Sequence, residues 1–111
     1  MNHAATEKPL TVARLATMKR AGEKIAMLTC YDASFARAMD QAGVDIVLVG
    51  DSLGMVVQGR DTTVAVDLED VAYHVRCVSR GVVRAFLLAD LPFGSYYDET
   101  MAMESAVGLM Q

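Results

Sequence analysis

Three apolar runs of strand length alternate with segments of helical spacing, and this alternation most constrains the fold. The runs occupy residues 24–31, 45–50 and 83–90, and the second is apolar throughout its centre instead of alternating with polar residues. Continuous runs of this kind are typical of parallel strands covered on both faces. Helices between successive strands predict a parallel α/β sheet with right-handed crossovers.

Four segments carry the start signals of helices. We expect Thr11, Asp32, Asp67 and Asp98 to cap them, because a short polar side chain at this position accepts a hydrogen bond from an otherwise free backbone N–H. The predicted helices cover residues 11–22, 32–43, 67–81 and 98–111. Residues 51–66 are expected to form an ordered, glycine-punctuated loop, and residues 1–9 a flexible tail.

Charge and composition exclude several classes of partner. Ten Lys and Arg residues against fourteen Asp and Glu give a net charge of -4, which argues against nucleic acids and acidic membrane surfaces as partners. The apolar runs are far shorter than the roughly 20 residues that span a bilayer. Cys30 and Cys77 lack a C-x-x-C spacing and predict reduced thiols in a cytoplasmic protein.

Asp51 follows the second apolar run directly, and Asp90 is the last residue of the third run. The carboxyl ends of parallel strands form the ligand-binding side of α/β folds, so neighbouring strands would bring these carboxylates into one space. Such a pair can share a proton, act as acid and base, or hold a hard divalent cation such as Mg²⁺. The alternative is that each Asp caps a turn or the following helix.

The residues around these acids favour a binding site. Ser52 and Gly54 add a hydroxyl and a flexible turn, and residues 90–96 form a proline-containing loop beside them. Tyr31 ends the first run on the same side and is a candidate pocket wall. His74 is expected to be packed or solvated and not a ligand, and Cys30 has no nearby base or cation that would activate it.

Three motifs together resemble the ketopantoate hydroxymethyltransferase family. They are VGDSLGM at residues 49–55, the Asp70-x-x-Tyr73-His74 pattern and ADLPFGSY at residues 89–96. The resemblance runs from about Leu10 to the last residue. It implies a (β/α)₈ TIM barrel of the phosphoenolpyruvate/pyruvate superfamily, of which residues 1–111 hold an N-terminal helix and about three βα units.

The resemblance also implies an activity in pantothenate biosynthesis. Family members transfer a hydroxymethyl group from 5,10-methylenetetrahydrofolate to 3-methyl-2-oxobutanoate through a Mg²⁺-stabilised enolate, which gives 2-dehydropantoate. Carried over by position, Asp51 and Asp90 are Mg²⁺ ligands, and Asp51, Ser52 and Asp90 contact the 2-oxo acid. The family forms homo-oligomers, with decamers expected.

The resembled enzymes take a Lys, a metal-proximal Glu and the general-base Glu from strands that would follow Gln111. The resemblance therefore implies that residues 1–111 alone are inactive and hold no catalytic base. Three alternatives stay open at this point. They are a Mg²⁺-dependent carbon–carbon lyase of the same superfamily, a non-catalytic flavodoxin-like binding module, and a degenerate subunit that joins oligomers.

Overall fold

A computed structural model describes residues 8–111 of the chain. Three strands and five helices alternate as the sequence predicts, with one added short helix. The elements are α1 (Val12–Arg20), β1 (Met27–Thr29), α2 (Ala33–Gln41), β2 (Ile46–Val49), α3 (Leu53–Val56), α4 (Leu68–Ser79), β3 (Phe86–Ala89) and α5 (Glu99–Met110). Lys8 and Pro9 are exposed and irregular, and the rest of the expected tail lies outside the described residues.

The four predicted capping residues all cap their helices. Thr11 accepts a hydrogen bond from the backbone N–H of Arg14 through its hydroxyl, and the carboxylates of Asp32, Asp67 and Asp98 do the same for the third residue of their helices. At α4, Asp70 reaches back to the N–H of Asp67 and completes a capping box. The start of each long helix is therefore determined locally.

The strands form one parallel sheet in the order β1-β2-β3. In a flavodoxin-like fold the first strand lies between the second and third. Here β2 is the central strand, so the flavodoxin-like interpretation is wrong. A strand order that follows the chain keeps each new strand beside the previous one.

The expectation that the strands are covered on both faces is wrong for the described residues. Along β2, Val47 and Val49 are fully buried whereas Ile46 and Leu48 are half-buried. In β1, Met27 and Leu28 remain about half exposed, at 50% and 49%. The difference arises because α2 and α4 pack with Val47, Val49, Val71 and Val78 in a single core, which leaves the opposite sheet face open.

Close packing of α4 against α2 depends on Gly81. A Cβ atom at this position would overlap with the carbonyl oxygen of Ala33 and the side chain of Ala36. The glycine that ends α4 therefore also allows the two helices to approach. Within the described residues, none of the helices has the length and apolar character needed to cross a membrane.

Asp40, near the end of α2, holds the start of β3 in place. Its side chain is 4% exposed and accepts hydrogen bonds from the backbone N–H groups of Val83, Arg84 and Ala85. Asp45 acts at the same end of the sheet, where it accepts from the N–H of Ala26 and pairs with Arg84 at 2.9 Å. These buried carboxylates fix where the strands begin.

We predict that Asp40→Ala lowers the free energy of unfolding by about 2–3 kcal/mol, because three backbone donors lose a charged acceptor. Urea denaturation followed by circular dichroism measures this change. Asp61→Ala is the matched control, since Asp61 is exposed and its side chain bonds to no other described residue. Equal stability of the two variants would contradict the role of Asp40.

Candidate functional site

An open cleft of about 620 Å³ lies beyond the carboxyl ends of β2 and β3. Its lining contains both predicted acids, Asp51 and Asp90, together with Ala89, Leu91, Tyr96 and Ala102. The parallel register pairs Val49 with Ala89, so the residues that follow these two positions emerge side by side. The expectation that the two strands are neighbours is confirmed, and their acids line one space.

The backbone brings the Asp90 carboxylate directly over the end of β2. The N–H of Asp90 donates to the carbonyl oxygen of Val49 at 3.0 Å, which extends the strand pairing by one residue. A Cβ atom at Gly50 would lie 3.2 Å from Oδ2 of Asp90. The absence of a side chain at Gly50 thus lets the Asp90 carboxylate lie close to the backbone that leads into Asp51.

The two acids differ from the three Asp residues that cap helices. Asp32, Asp67 and Asp98 each accept a backbone N–H through their carboxylates. Among the described residues, the side chains of Asp51 and Asp90 accept no hydrogen bond. The capping alternative for these two acids is therefore wrong, and their oxygens are available to a ligand.

This donor set suits a hard divalent cation that keeps several ligand positions for water and substrate. Mg²⁺ is usually held by one or two carboxylates, with waters and substrate oxygens completing an octahedral shell. No cluster of three or more His, Cys, Asp or Glu side chains with metal-binding geometry occurs in the part of the chain that is described. The pair is thus compatible with an open cation site and not with a closed structural one.

Ser52 follows Asp51 and precedes the short helix α3. Its hydroxyl is hydrogen-bonded to the hydroxyl of Tyr31, which lies two residues beyond β1. Both side chains are partly buried, and neither is part of the lining of the acidic cleft. Contact between Ser52 and a 2-oxo acid stays a prediction. The sequence did not predict the hydrogen bond between Ser52 and Tyr31.

His74 supports Tyr31 from α4. Its Nδ1 lies 2.7 Å from the backbone carbonyl oxygen of Tyr31, and the two rings meet edge to face at 6.4 Å. A carbonyl oxygen only accepts hydrogen bonds, so Nδ1 of His74 carries the hydrogen and donates it. The expectation of a packed histidine is confirmed, and the residue that it contacts adds a link to Ser52.

The loop after β3 forms a wall of the cleft and is fastened to α5. The hydroxyl of Ser95 donates to the carbonyl oxygen of Pro92 at 2.6 Å, and the hydroxyl of Ser105 donates to the backbone carbonyl oxygen of Ser95 at 2.7 Å. Ser105 is buried, so its bond anchors the loop to the helix. The ordered loop expected after β3 is confirmed.

Cys30 lies at the end of β1 but is shielded from solvent. The residue is 2% exposed, and burial is the largest cause of the raised pKa of its thiol. The nearby carboxylate of Asp32 raises this pKa further, while backbone hydrogen bonds from Asp32 and Tyr31 lower it. A thiol with a raised pKa has little thiolate near neutral pH, so Cys30 is not an activated nucleophile.

Parallel α/β sheets bind small molecules at the carboxyl ends of their strands, and the cleft that Asp51 and Asp90 line lies at this end. The sequence profile described as ketopantoate hydroxymethyltransferase matches residues 9–111. The chain belongs to this family, as the resemblance predicts.

Individual relatives agree with this assignment. The chain is 59% identical over 97% of its length to 3-methyl-2-oxobutanoate hydroxymethyltransferase 1 of Zymomonas mobilis and covers 37% of that protein. The enzymes of the same name from Thiobacillus denitrificans and Ralstonia nicotianae are 62% and 56% identical over 79% and 96% of the chain. The chain spans 34% and 39% of their lengths. These names are those of transferases and give the lyase alternative no support.

We predict that a neutral alkylating reagent at pH 7–8 modifies Cys77 faster than Cys30 in the folded protein. Cys77 is partly exposed, whereas Cys30 is buried and its pKa is raised. Peptide mass spectrometry of timed samples measures both rates, and the same measurement in urea is the control, where the two rates should converge. Faster labelling of Cys30 in the folded state would contradict the burial described above.

Proposed function

We propose that this chain is the N-terminal part of a barrel enzyme that transfers a hydroxymethyl group from 5,10-methylenetetrahydrofolate to 3-methyl-2-oxobutanoate, giving 2-dehydropantoate. The observation that carries the proposal is the pairing of Asp51 with Asp90 in one cleft at the carboxyl ends of β2 and β3. Family membership suggests the reaction, and a cation held between the two carboxylates would attract a small anionic substrate to this otherwise acidic cleft.

The barrel itself rests on three observations. The strands follow one another in chain order, and all described pairings are parallel. One face of β2 is buried under helices while the other is apolar and half-open. Parallel sheets are normally covered on both faces, so further strands that close the sheet would bury this second face. The same residues then line the barrel interior.

Asp51 and Asp90 are the residues that would hold Mg²⁺ in this enzyme. When bound there, the cation supplies a Lewis acid that polarises the keto group of a 2-oxo acid. The observation that supports this role is that both carboxylates line the same cleft and accept no hydrogen bonds from the described residues.

The other side chains of the site orient the substrate. The hydroxyl of Ser52 would donate a hydrogen bond to the substrate carboxylate, which accepts hydrogen bonds only. The loop fastened by Ser95 and Ser105 keeps the wall beside Asp90 in place. Proton removal from the carbon beside the keto group falls to a Glu that lies outside these 111 residues, and the enzyme acts as a homo-oligomer in the cytoplasm.

A protein that joins residues 1–111 to the part of the Zymomonas mobilis relative beyond its matched region tests this function. We call it the joined protein. We expect it to form 2-dehydropantoate in a Mg²⁺- and folate-dependent reaction, and residues 1–111 alone to form none, because the general base would be missing. An inactive, folded joined protein would contradict the proposed function.

The metal assignment has its own prediction. In the joined protein, Asp51→Asn and Asp90→Asn should each weaken Mg²⁺-dependent binding of 3-methyl-2-oxobutanoate by about 10- to 100-fold or more. Loss of a residue that only hydrogen-bonds a metal ligand already lowers metal affinity by this factor, and loss of the ligand itself should lower it at least as much. Isothermal titration calorimetry measures the affinity. Asp61→Asn removes the same charge from an exposed loop and should leave it unchanged. Unaltered affinity in Asp51→Asn or Asp90→Asn would overturn the assignment.

A further inference from the structure

We propose that Tyr31 is a positioning residue that acts through Ser52, holding the serine hydroxyl so that its hydrogen points at the substrate carboxylate. This inference rests on the proposed function. It adds to the site a residue that follows a different strand, β1, and that is not part of the lining of the acidic cleft.

The sheet brings the two hydroxyls together from separate strand ends. Thr29 pairs with Leu48, and the N–H of Cys30 donates to the carbonyl oxygen of Leu48 at 2.9 Å, which continues the pairing past the end of β1. Tyr31 and Ser52 follow these paired strands at the same edge, and their hydroxyls are hydrogen-bonded. The bond therefore connects the end of β1 to the turn that leads into α3.

The chemistry of two hydroxyls decides the direction of this bond in the complex. Each hydroxyl has one hydrogen to donate and two lone pairs that accept. If Tyr31 donates to Ser52, the serine hydrogen is free to be donated to a carboxylate. If Ser52 donated to Tyr31 instead, only its oxygen would face the carboxylate, and two acceptors would repel. A carboxylate ligand thus selects the order Tyr31 to Ser52 to substrate.

Tyr31 is itself held in place before any ligand binds. Nδ1 of His74 donates to its backbone carbonyl oxygen at 2.7 Å, and the His74 ring meets the Tyr31 ring at an interplanar angle of 88°. The tyrosine therefore has a fixed backbone and a supported ring. Because Tyr31 is already held in place, less conformational entropy is lost in ordering the Ser52 side chain when the substrate binds.

Tyr31 is linked to the acidic pair through Ser52. Its side chain lines a separate, mainly apolar pocket of about 320 Å³ with Cys30, Phe35, Met39 and Val57. The lining of the acidic cleft contains Asp51 and Asp90 and includes neither Tyr31 nor Ser52. Ser52, adjacent to Asp51 in sequence and bonded to Tyr31, connects the two regions.

A double-mutant cycle in the joined protein tests the proposal. Tyr31→Phe removes the hydroxyl and keeps the ring contact with His74. We expect it to raise KM for 3-methyl-2-oxobutanoate about 3- to 10-fold with kcat nearly unchanged, because one positioning hydrogen bond is lost in ground and transition states alike. In the Ser52→Ala background the same substitution should have no further effect on KM.

Tyr73→Phe is the matched control. Tyr73 lies beside His74 in α4, its ring also contacts the His74 ring, and its side chain is exposed. This substitution should leave KM unchanged. The proposal is overturned if Tyr31→Phe behaves like Tyr73→Phe, if its effect adds in full to that of Ser52→Ala, or if it lowers Tm without changing KM. An inactive joined protein with Tyr31 intact would instead contradict the proposed function.

A spectroscopic measurement tests the contact independently of turnover. In joined protein labelled with ¹³Cζ-tyrosine, Ser52→Ala should move the Tyr31 resonance, which Tyr31→Phe identifies, and leave that of Tyr73 in place. An unmoved Tyr31 resonance would show that the two hydroxyls do not interact and would overturn the proposal.

Discussion

The parallel pairing of β2 with β3 is the constraint on which the candidate site depends. Because Val49 pairs with Ala89, the next residues of both strands leave the sheet together, and the N–H of Asp90 still bonds to Val49. Gly50 leaves room for the Asp90 carboxylate. A shift of one residue in this register would send Asp90 to the opposite face of the sheet.

The two ends of the sheet have different tasks. At the start of the strands, the buried carboxylates of Asp40 and Asp45 are saturated by backbone N–H groups and by Arg84, so they stabilise the strand positions. At the other end, Asp51 and Asp90 accept no hydrogen bonds from the described residues. An Asp side chain thus stabilises the fold at the end of the sheet where the protein supplies hydrogen-bond donors. It remains available for a ligand at the end where no described residue donates to it.

Local signals in the sequence predicted the element order, the four capping residues and the two acids at the strand ends. These features depend on neighbouring residues or on the general geometry of parallel sheets, which a single sequence contains. The sequence did not predict α3, which is one turn long and lies in a segment without clear periodicity. It also placed strand β1 over eight residues, whereas the strand itself spans only Met27–Thr29.

The link from His74 through Tyr31 to Ser52 was beyond sequence reasoning for a related reason. His74 and Tyr31 are 43 residues apart, and Tyr31 and Ser52 are 21 apart, so their contacts depend on how α4 packs on the sheet. We overestimated the burial of the strands. An apolar run indicates that a strand face can be covered, but it does not show which element covers that face. In the described residues, helices cover one face only.

The proposed role of Asp51 and Asp90 is to act as one pair of ligands for a divalent cation. Crystals of the joined protein grown with Mn²⁺ in place of Mg²⁺ test it most directly, because the anomalous signal of Mn²⁺ locates the ion without reference to activity. We expect one anomalous peak within coordination distance of both carboxylates. A bound Mn²⁺ that contacts neither Asp51 nor Asp90 would contradict it.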